Sequence, residues 1–221
     1  MQEQDRPTTP IDIDSLPADS TMRASSPISE GWKGTISTLA ILIAAPLIAL
    51  LLITFVFQSY EVDGPSMQRT LLDNDRLIVL KTGKTWASLT GNDYIPERGE
   101  IIVFAKRGTL DPLVGGDRQL IKRIIGVPGD RVIYRNNRVT VYNPENPSGF
   151  NPDVIGGYQD SLGSLGGSRG VDVTLGPGEV FVMGDNRANS SDSREFGTVS
   201  SEEVIGQLVI RFFPFDKTTL F

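Results

Sequence analysis

The amino-acid sequence predicts a mainly β protein, in which one transmembrane helix precedes an antiparallel, coiled and barrel-like domain. Two observations predict this architecture. A run without any charged residue extends from Gly34 to Tyr60 near the N-terminus. Most of the chain after it consists of short runs rich in Val, Ile and Phe, separated by Gly-, Pro- and Asn-containing turns, which is typical of antiparallel strands.

Composition limits the chemistry that this chain can perform. Its 221 residues suit one membrane anchor and one domain, and 39% hydrophobic content allows a packed core. The net charge of −6, without a Lys/Arg cluster, argues against nucleic-acid binding. The sequence contains no Cys and no His, which excludes thiol nucleophiles, thiolate metal sites and a Ser-His-Asp triad. We expect no cofactor and no metal, so an enzyme would have to use Ser, Thr, Lys, Tyr or carboxylates.

Three parts of the chain follow from these patterns. Residues 1–33, rich in Pro, Ser, Thr and Asp, are predicted to form a disordered tail on the cytoplasmic side. Residues 34–58 are long and apolar enough to span a bilayer, and their length and position favour a permanent signal anchor over a cleaved signal peptide. Lys33 before the span and acidic residues after it favour a cytoplasmic N-terminus. Residues 59–221 are predicted to form the β domain.

Seven runs of strand-forming residues make up the predicted β domain. In chain order they are DRLIVL, EIIVF, RQLIKRIIGV, RVIY, RVTVY, EVFVM and QLVIRFF. Pro-Gly pairs at 128–129 and 177–178 fit β-turns. The Gly-, Asn-, Ser- and Pro-rich stretch 143–170 is predicted to be a long flexible loop. The aromatic segment RFFPF at 211–215 fits either the core or a position on the bilayer surface.

The segment DGPSMQRTL at 63–71 contains a serine, Ser66, that would need a base other than histidine. The strand QLIKRIIGV offers one, because alternate side chains share a face and Lys122 therefore lies between two large apolar neighbours, Leu120 and Ile124. A solvent-exposed ammonium on an edge strand is the simpler alternative. Burial would instead lower the lysine pKa by up to about 3–5 units and allow the amine to act as a general base.

A polar loop, MGDNRANSSDSREFG at 183–197, follows the strand EVFVM. Composition alone would favour an ordinary surface loop. A hydroxyl in this loop could also hydrogen-bond the lysine amine and orient it, while Asp192 and Arg194 could form an ion pair that fixes the loop. The S-x-x-K arrangement of penicillin-binding enzymes is absent, because Arg69 stands three residues after Ser66 and arginine cannot lose its proton.

The three motifs GPSM-x-x-TL, KRIIGVPGD and GDNRANSSDSREFG, in this order behind a single anchor, resemble the bacterial type I signal peptidases of peptidase family S26. The resemblance extends from about residue 36 to the C-terminus. It implies a membrane-bound serine endopeptidase that removes signal peptides from exported preproteins through an acyl-enzyme formed by a Ser-Lys dyad. It further implies Ala-x-Ala-type cleavage sites, contact with the lipid bilayer and the protein export machinery, and a single-pass location. The membrane would be the bacterial plasma membrane or an internal, thylakoid-type membrane, with the catalytic domain on the trans side.

The resemblance also assigns roles to individual residues. It implies that Ser66 is the nucleophile, that Lys122 is the general base and that Ser190 orients the lysine. It implies that Asp192 and Arg194 form the supporting ion pair. The further supporting positions of the matched motifs are Gly64, Met67, Arg123, Gly184, Asp185, Asn186 and Arg187.

The family pattern implies a specific property at each of three positions near Ser66. Met67 matches a position that contributes to the substrate pocket. Gly64 stands where some family members carry a hydroxyl that assists the oxyanion hole, so any donor beyond the Ser66 N–H has to come from elsewhere. Arg69 replaces the proline that the family usually has, which predicts a freer backbone, a charge close to the membrane surface and an altered substrate preference or lipid contact.

Two other functions fit parts of the sequence. SOS-type repressors share a related Ser-Lys core and cleave themselves, but they are soluble and carry a DNA-binding domain, whereas this chain has a membrane span and an acidic balance. The second alternative is a catalytically silent, membrane-anchored β module that binds exported proteins. The presence of Ser66, Lys122 and Ser190 argues against this second alternative.

Overall fold

The computed structural model describes three stretches of the chain, residues 28–110, 117–157 and 170–221. Residues 1–27 of the predicted tail and residues 158–169 of the predicted loop lie outside the described residues. The chain divides into two compact units, Met1–Pro46 and Leu47–Phe221. Within the described residues, the first unit is the first part of a long helix, and the second contains the sheets.

Helix α1 (Ile28–Phe55) is the apolar helix that the sequence predicts. Its segment Gly34–Phe55, with a mean hydropathy of 2.7 over its most apolar window, is long and apolar enough to cross a membrane. Pro46 lies inside the helix without ending it. The helix stops at Phe55 rather than at residue 58, because the next residues, Phe57–Glu61, pair as a strand with Arg76–Leu80.

The remaining elements are mostly strands. Helix α2 (Thr82–Thr90) has nine residues, and the helices α3 (Pro152–Ile155) and α4 (Ser193–Phe196) have four residues each. In chain order the strands of the described residues are β1 (Phe57–Glu61), β2 (Arg76–Leu80), β3 (Ile101–Leu110), β4 (Asp117–Gly126), β5 (Arg131–Arg135), β6 (Arg138–Asn143), β7 (Asn146–Phe150), β8 (Val171–Thr174), β9 (Glu179–Met183), β10 (Val199–Ser200), β11 (Val204–Phe213) and β12 (Thr219–Leu220).

These strands form two antiparallel sheets. The eight-stranded sheet has the order β1-β2-β11-β3-β4-β9-β10, with β12 paired to β11, and the four-stranded sheet has the order β7-β6-β5-β8. This confirms the predicted mainly β, antiparallel fold, and each of the seven predicted runs contains a strand. Across the described stretches the larger sheet follows an open path, so the domain consists of coiled sheets rather than a closed barrel.

Strand β4 is the element that places the functional side chains, because it contributes to every cluster of the core. Ile124 belongs to a cluster with buried residues of β3 and β9, and Ile125 to a cluster shared with the smaller sheet. Ile121 packs against a third cluster, which lies under the Ser66 segment and includes Met67 and Leu71. Leu120 packs against the cluster that contains Ile124. The two side chains therefore share a face of the strand, as the alternation along β4 predicts.

The predicted long loop at 143–170 is in part regular structure. Strand β7 begins where the Asn143 side chain accepts a 2.8 Å hydrogen bond from the Asn146 N–H and closes a tight turn. Helix α3 begins where Asn151 accepts a 2.9 Å bond from the Asp153 N–H, with Pro152 in the first turn. The Asn and Pro residues that predicted a loop are here a turn residue, a helix cap and a helix starter. The prediction is therefore wrong for these two elements.

The C-terminal aromatic segment lies on the surface. Phe213 and Phe215 are 39% and 78% exposed, and their rings meet edge to face with centroids 5.5 Å apart. The sequence left open whether RFFPF lies in the core or at the bilayer surface. The Phe213 and Phe215 side chains are not in the core.

Candidate active site

Ser66 and Lys122, which are 56 residues apart in the sequence, meet in the structure. The Lys122 Nζ donates a 2.8 Å hydrogen bond to the Ser66 Oγ and a second one, also 2.8 Å, to the Ile121 carbonyl. Lys122 is only 2% exposed, which confirms the predicted burial of this side chain and removes the alternative of an ammonium in solvent. The arrangement brings a hydroxyl and a buried amine into direct contact.

Burial changes the acidity of this amine. The pKa of Lys122 is lowered from 10.5 to about 8, mainly because burial removes the amine from water. The charge of Asp192 opposes this shift, Arg118 adds to it, and Asp185 opposes it more weakly. The two hydrogen-bond partners of Nζ in the described residues, the Ser66 hydroxyl and the Ile121 carbonyl, are uncharged. A large fraction of Lys122 is therefore neutral near pH 8, and a neutral amine has the lone pair needed to accept a proton from a hydroxyl.

The Ser66 segment is a series of tight turns. Gly64 has a φ of +90°, a left-handed conformation that glycine adopts without strain, and its N–H donates a 2.8 Å bond to the Asp73 carboxylate. The Gln68 N–H donates to the Pro65 carbonyl at 3.0 Å. Within the described stretches, the Ser66 N–H donates to no protein acceptor, which leaves it available beside the hydroxyl. The Gly64 N–H, by contrast, is already engaged and offers no second oxyanion donor.

The loop after β9 holds this turn from one side. The Asn186 N–H donates a 3.0 Å bond to the Ser66 carbonyl, and the Asn186 side-chain amide donates a 3.1 Å bond to the Pro65 carbonyl. At Gly184 a Cβ atom would lie 2.5 Å from the Ser66 carbonyl oxygen and 2.3 Å from the Ser190 Oγ. Only glycine therefore permits this close approach of the loop to the Ser66 turn.

A buried ion pair holds the same turn from the strand β4. Arg123 binds Asp185 through two hydrogen bonds, Nε to Oδ1 at 2.8 Å and Nη2 to Oδ2 at 2.6 Å, and its Nη1 donates to the Gly99 carbonyl at 2.6 Å. The Thr70 hydroxyl, four residues after Ser66, donates to the same carboxylate. This network joins β4, the Ser66 turn and the loop after β9, and it places the sequence-predicted Arg123 and Asp185 in one cluster.

The predicted ion pair between Asp192 and Arg194 is confirmed. The Arg194 Nε and Nη2 donate to the two carboxylate oxygens of Asp192 at 2.8 and 2.9 Å, and both side chains are buried. The Arg194 Nη2 also donates to the Arg187 carbonyl at 2.8 Å. Asp192 further accepts a 3.0 Å bond from the Gly184 N–H, so this carboxylate organises the loop from the inside.

Ser190 and Met67 differ from their predicted positions. The Ser190 Oγ donates a 2.8 Å bond to Asp192, and it is not among the hydrogen-bond partners of the Lys122 Nζ in the described part of the chain. Ser190 therefore contacts Asp192, whose charge in turn raises the pKa of Lys122. Met67 is fully buried in the cluster with Leu71, because the tight turn directs its side chain inward, and it does not line the cleft beside Ser66.

Ser66 and Lys122 lie in a cleft of about 590 Å³. One wall of the cleft comes from the segment 60–66 and the other from residues 118–122 of β4. Its apolar lining includes Tyr60, Leu77, Val103, Leu120 and Ile121. The lining also contains charged side chains, Glu61, Asp63, Arg118 and Glu195, so the cleft is mixed in character and suits a short extended segment of a substrate.

Sequence reasoning missed one buried ion pair of the site. Arg187 binds the carboxylate of Asp153 through both Nη atoms, with Nη2 to Oδ1 at 2.6 Å, and its Nε donates to the Gly184 carbonyl at 3.0 Å. Asp153 lies in helix α3, inside the predicted loop. The Asn-Pro-Asp sequence at 151–153 is a helix-start signal that could have drawn attention to this acidic residue.

Arg69 adopts an unusual backbone conformation. Its φ is +92°, in the left-handed region that a large side chain seldom occupies. The conformation agrees with the expected freedom from the φ restriction of proline, although it is a strained one for a large side chain. Proline fixes φ near −65°, so this turn in its present form would not accept the proline that family members usually have.

Comparisons with known proteins agree with the motif resemblance. A family model described as signal peptidase, peptidase S26, matches residues 35–213. Signal peptidase I of Bacillus caldolyticus is 34% identical over 170 residues, which cover 74% of this chain and 83% of the relative. Signal peptidase I U of Bacillus subtilis (strain 168) is 33% identical over 184 residues, which cover 83% of this chain and 89% of the relative. A crystal structure of a signal peptidase I from Enterococcus faecalis V583 is 28% identical, with a TM-score of 0.37, and covers 52% of this chain and 97% of its own.

Proposed function

Because the chain belongs to the type I signal peptidase family, we propose that it removes N-terminal signal peptides from exported preproteins with a Ser66–Lys122 dyad. The observation that carries the dyad is the 2.8 Å hydrogen bond between the Lys122 Nζ and the Ser66 Oγ, made by a lysine that is 2% exposed. A Ser-Lys pair can replace the histidine triad when the lysine is neutral at working pH. The pKa of Lys122 near 8 meets that condition.

The reaction begins with proton transfer. Neutral Lys122 accepts the proton of the Ser66 hydroxyl while the Oγ attacks the scissile carbonyl carbon. The Ser66 N–H is positioned on the nucleophile itself and can donate to the oxyanion that develops. When the tetrahedral intermediate collapses, the C–N bond breaks and the departing amine takes the proton from the Lys122 ammonium. Lys122, neutral again, then removes a proton from the water that hydrolyses the acyl-enzyme.

The surrounding loop positions these two groups. Asn186 holds the backbone on both sides of the nucleophile, through the Ser66 and Pro65 carbonyls. The pair of Arg123 and Asp185 fixes the end of the same turn. These contacts keep the Ser66 Oγ within hydrogen-bond distance of Lys122 before substrate arrives, which is the preorganisation that acyl transfer needs.

Strand β4 offers the edge to which an extended substrate would pair. Its residues 118–123 pair with β3 on one side, whereas β9 pairs only with 123–126 on the other. Within the described residues, the second side of 118–122 therefore has no strand partner, and this free edge borders the cleft. An unfolded cleavage region of a preprotein can add to such an edge as a further strand. The site also takes small side chains before the cut, as in the Ala-x-Ala sites that the family resemblance implies.

We propose a membrane topology from the apolar helix and the family membership. The segment Gly34–Phe55 is the candidate anchor. We propose that it spans a bacterial plasma membrane or an internal membrane once, with residues 1–33 in the cytoplasm and residues 59–221 on the trans side, where exported preproteins emerge from the export machinery. Protease protection of a tagged N-terminus in closed vesicles tests this orientation.

The activity is tested with the full-length protein in detergent and a preprotein that carries an Ala-x-Ala site, at pH 7–9. We expect one cut directly after the second alanine, and no cut with Ser66→Ala or Lys122→Ala. Lys217→Ala, which removes an exposed lysine far along the chain from the site, is the matched control and should cut normally. A preprotein left intact by the unmodified protein across this pH range would refute the proposed function. Cleavage by Lys122→Ala would refute the dyad alone.

A further inference from the structure

Asp153 is a buried acidic residue that the proposed mechanism does not use. Its two carboxylate oxygens accept hydrogen bonds from both Nη atoms of Arg187, with Nη2 to Oδ1 at 2.6 Å. Asp153 is 8% exposed and Arg187 is 6% exposed. Each buried charge needs the other as compensation, so the two side chains stay together. The pair therefore ties helix α3 to the loop after β9.

Helix α3 presents this carboxylate from a fixed position. The helix follows β7 directly and contacts β6, so it belongs with the smaller sheet. Asn151 caps the helix by accepting a 2.9 Å hydrogen bond from the Asp153 N–H, and Pro152 stands in the first turn. The backbone of Asp153 is thus held by the helix cap while its side chain reaches Arg187.

Arg187 connects this attachment to the backbone around the nucleophile. Its Nε donates a 3.0 Å bond to the Gly184 carbonyl, and its own carbonyl accepts a 2.8 Å bond from the Arg194 Nη2. Between Gly184 and Arg187 lies Asn186, whose N–H donates a 3.0 Å bond to the Ser66 carbonyl. Arg187 therefore braces the part of the loop that holds the Ser66 turn.

We propose that Asp153 is a positioning residue for the reaction: bound to Arg187, it holds residues 184–187 against the Ser66 turn, so that the Ser66 Oγ stays in contact with Lys122. This inference rests on the proposed function. Among the described residues that line the cleft, neither Asp153 nor Arg187 is present. The effect therefore falls on the geometry of the nucleophile and the base, and not on substrate binding.

The first test separates kcat from KM for a peptide with an Ala-x-Ala site. Asp153→Asn removes the charge at nearly constant size, and we expect kcat to fall about 10- to 100-fold with KM unchanged, the loss that a small misplacement of reacting groups causes. Asp153→Glu keeps the carboxylate and should retain more of kcat. Asp172→Asn is the matched control, because it removes the carboxylate of a more exposed ion pair, with Arg131, in the same smaller sheet. It should leave both constants unchanged.

A double variant separates positioning from stability. Asp153→Leu/Arg187→Met replaces the buried ion pair with apolar side chains, which often restores stability. It also leaves the Gly184 carbonyl without the Arg187 Nε. We expect a thermal midpoint close to that of the unmodified protein, with kcat as low as in Asp153→Asn. If kcat recovered together with the midpoint, the pair would have only a structural role and the proposal would be overturned.

A further measurement does not depend on activity. The N–H groups of Gly184 and Asn186 donate to Asp192 and to the Ser66 carbonyl, and their hydrogen exchange reports how often these bonds open. Asp153→Asn should accelerate exchange in a peptide that covers residues 184–190 of the detergent-solubilised protein, whereas Asp172→Asn should not.

The outcomes of these tests distinguish the two levels of the proposal. Unchanged exchange in Asp153→Asn, an unchanged kcat, or a loss that lies in KM alone would each overturn the positioning role, while cutting by the unmodified protein would leave the proposed function in place. An unmodified protein that leaves the peptide intact would refute the proposed function and, with it, any role of Asp153 in catalysis.

Discussion

Lys122 and Arg123 are consecutive cations on the same strand, both nearly inaccessible to solvent, and the protein treats their charges in opposite ways. Lys122 is 2% exposed and Arg123 is 5% exposed. Arg123 binds both carboxylate oxygens of Asp185. Within the described residues, the Lys122 amine donates hydrogen bonds to the uncharged oxygens of Ser66 and Ile121. The two side chains point to opposite faces of β4, one toward the cleft and one toward the loop after β9.

This difference supports a structural role for Arg123 and the proposed role of Lys122 as the base. A buried charge persists when a carboxylate compensates for its lost hydration, and removing one partner then leaves an uncompensated charge. A buried lysine without a directly bonded carboxylate instead shifts its pKa toward neutrality. Burial of a cation therefore does not by itself identify a general base. A buried lysine whose hydrogen-bond partners are uncharged is the candidate for that role.

The largest expected effect tests whether neutrality of Lys122 is what matters. Lys122→Arg retains the positive charge and much of the length but cannot lose its proton. We expect kcat/KM for a peptide substrate to fall by at least about 10³-fold, within the range attributed to a general base. The kcat/KM of Lys122→Met should fall as far, because methionine has no amine that could accept the Ser66 proton.

The pH profile of the unmodified protein belongs to the same test. Because catalysis needs the neutral amine and the pKa of Lys122 lies near 8, kcat/KM should rise with pH and level off above about 8. Substantial activity in Lys122→Arg, or a rise that begins only near the ordinary lysine pKa of 10.5, would contradict the assignment of the base.

The second effect concerns the paired cation. Arg123→Met removes the cation that compensates the buried charge of Asp185, and Asp185→Asn removes the carboxylate that compensates the charge of Arg123. Each should lower the free energy of unfolding by about 3–5 kcal/mol. Urea unfolding of the detergent-solubilised protein measures this loss, and the double variant Arg123→Met/Asp185→Leu should recover part of it. Single variants that lose less than about 1 kcal/mol would mean that the pair does not hold the loop.

The third effect has the opposite sign. Removing the buried charge of Lys122 should stabilise the fold, because the shift from 10.5 to about 8 corresponds to about 3 kcal/mol at pH 7. Below pH 8 the lysine is protonated in both states and the folded state bears the full penalty of burial. Between pH 8 and 10.5 the folded state releases its proton before the unfolded state does, so the penalty disappears as pH rises.

Lys122→Met should therefore raise the free energy of unfolding most at or below pH 7, and by little above pH 10.5. Arg123→Met is the matched comparison, since it removes a neighbouring cation from the same strand and should destabilise at every pH. Equal destabilisation by the two variants would remove the contrast between paired and unpaired cations.

The sequence predicted those features that depend on neighbours along the chain or on the three motifs. Val- and Ile-rich runs predicted strands, and alternation along β4 predicted that Lys122 lies between Leu120 and Ile124 and is buried. The motifs brought Ser66 and Lys122 together, although no local pattern relates residues 56 apart. The Asp192–Arg194 pair was predictable because two residues of a short loop can reach each other wherever the loop docks.

The sequence did not predict features that depend on how distant segments dock. Asp153 reaches Arg187 only because helix α3 packs against the loop after β9. The Ser190 hydroxyl donates to Asp192 and not to Lys122, which depends on how the folded loop places it. The inward direction of Met67 follows from turn geometry, not from its being next to the nucleophile.

The smallest expected effect concerns a third cation near the site, Arg69, which is exposed and lies three residues after Ser66. Arg69→Gln removes its charge without moving a buried group, so unfolding free energy should change by no more than about 0.5 kcal/mol. Arg69→Gly separates charge from conformation: at a φ of +92° glycine relieves strain, and we expect a gain of up to about 1 kcal/mol. Urea unfolding of both variants decides between the two causes. A loss in Arg69→Gln as large as that in Arg123→Met would mean that charge near the site matters regardless of burial, and the contrast between Lys122 and Arg123 would no longer explain which cation reacts.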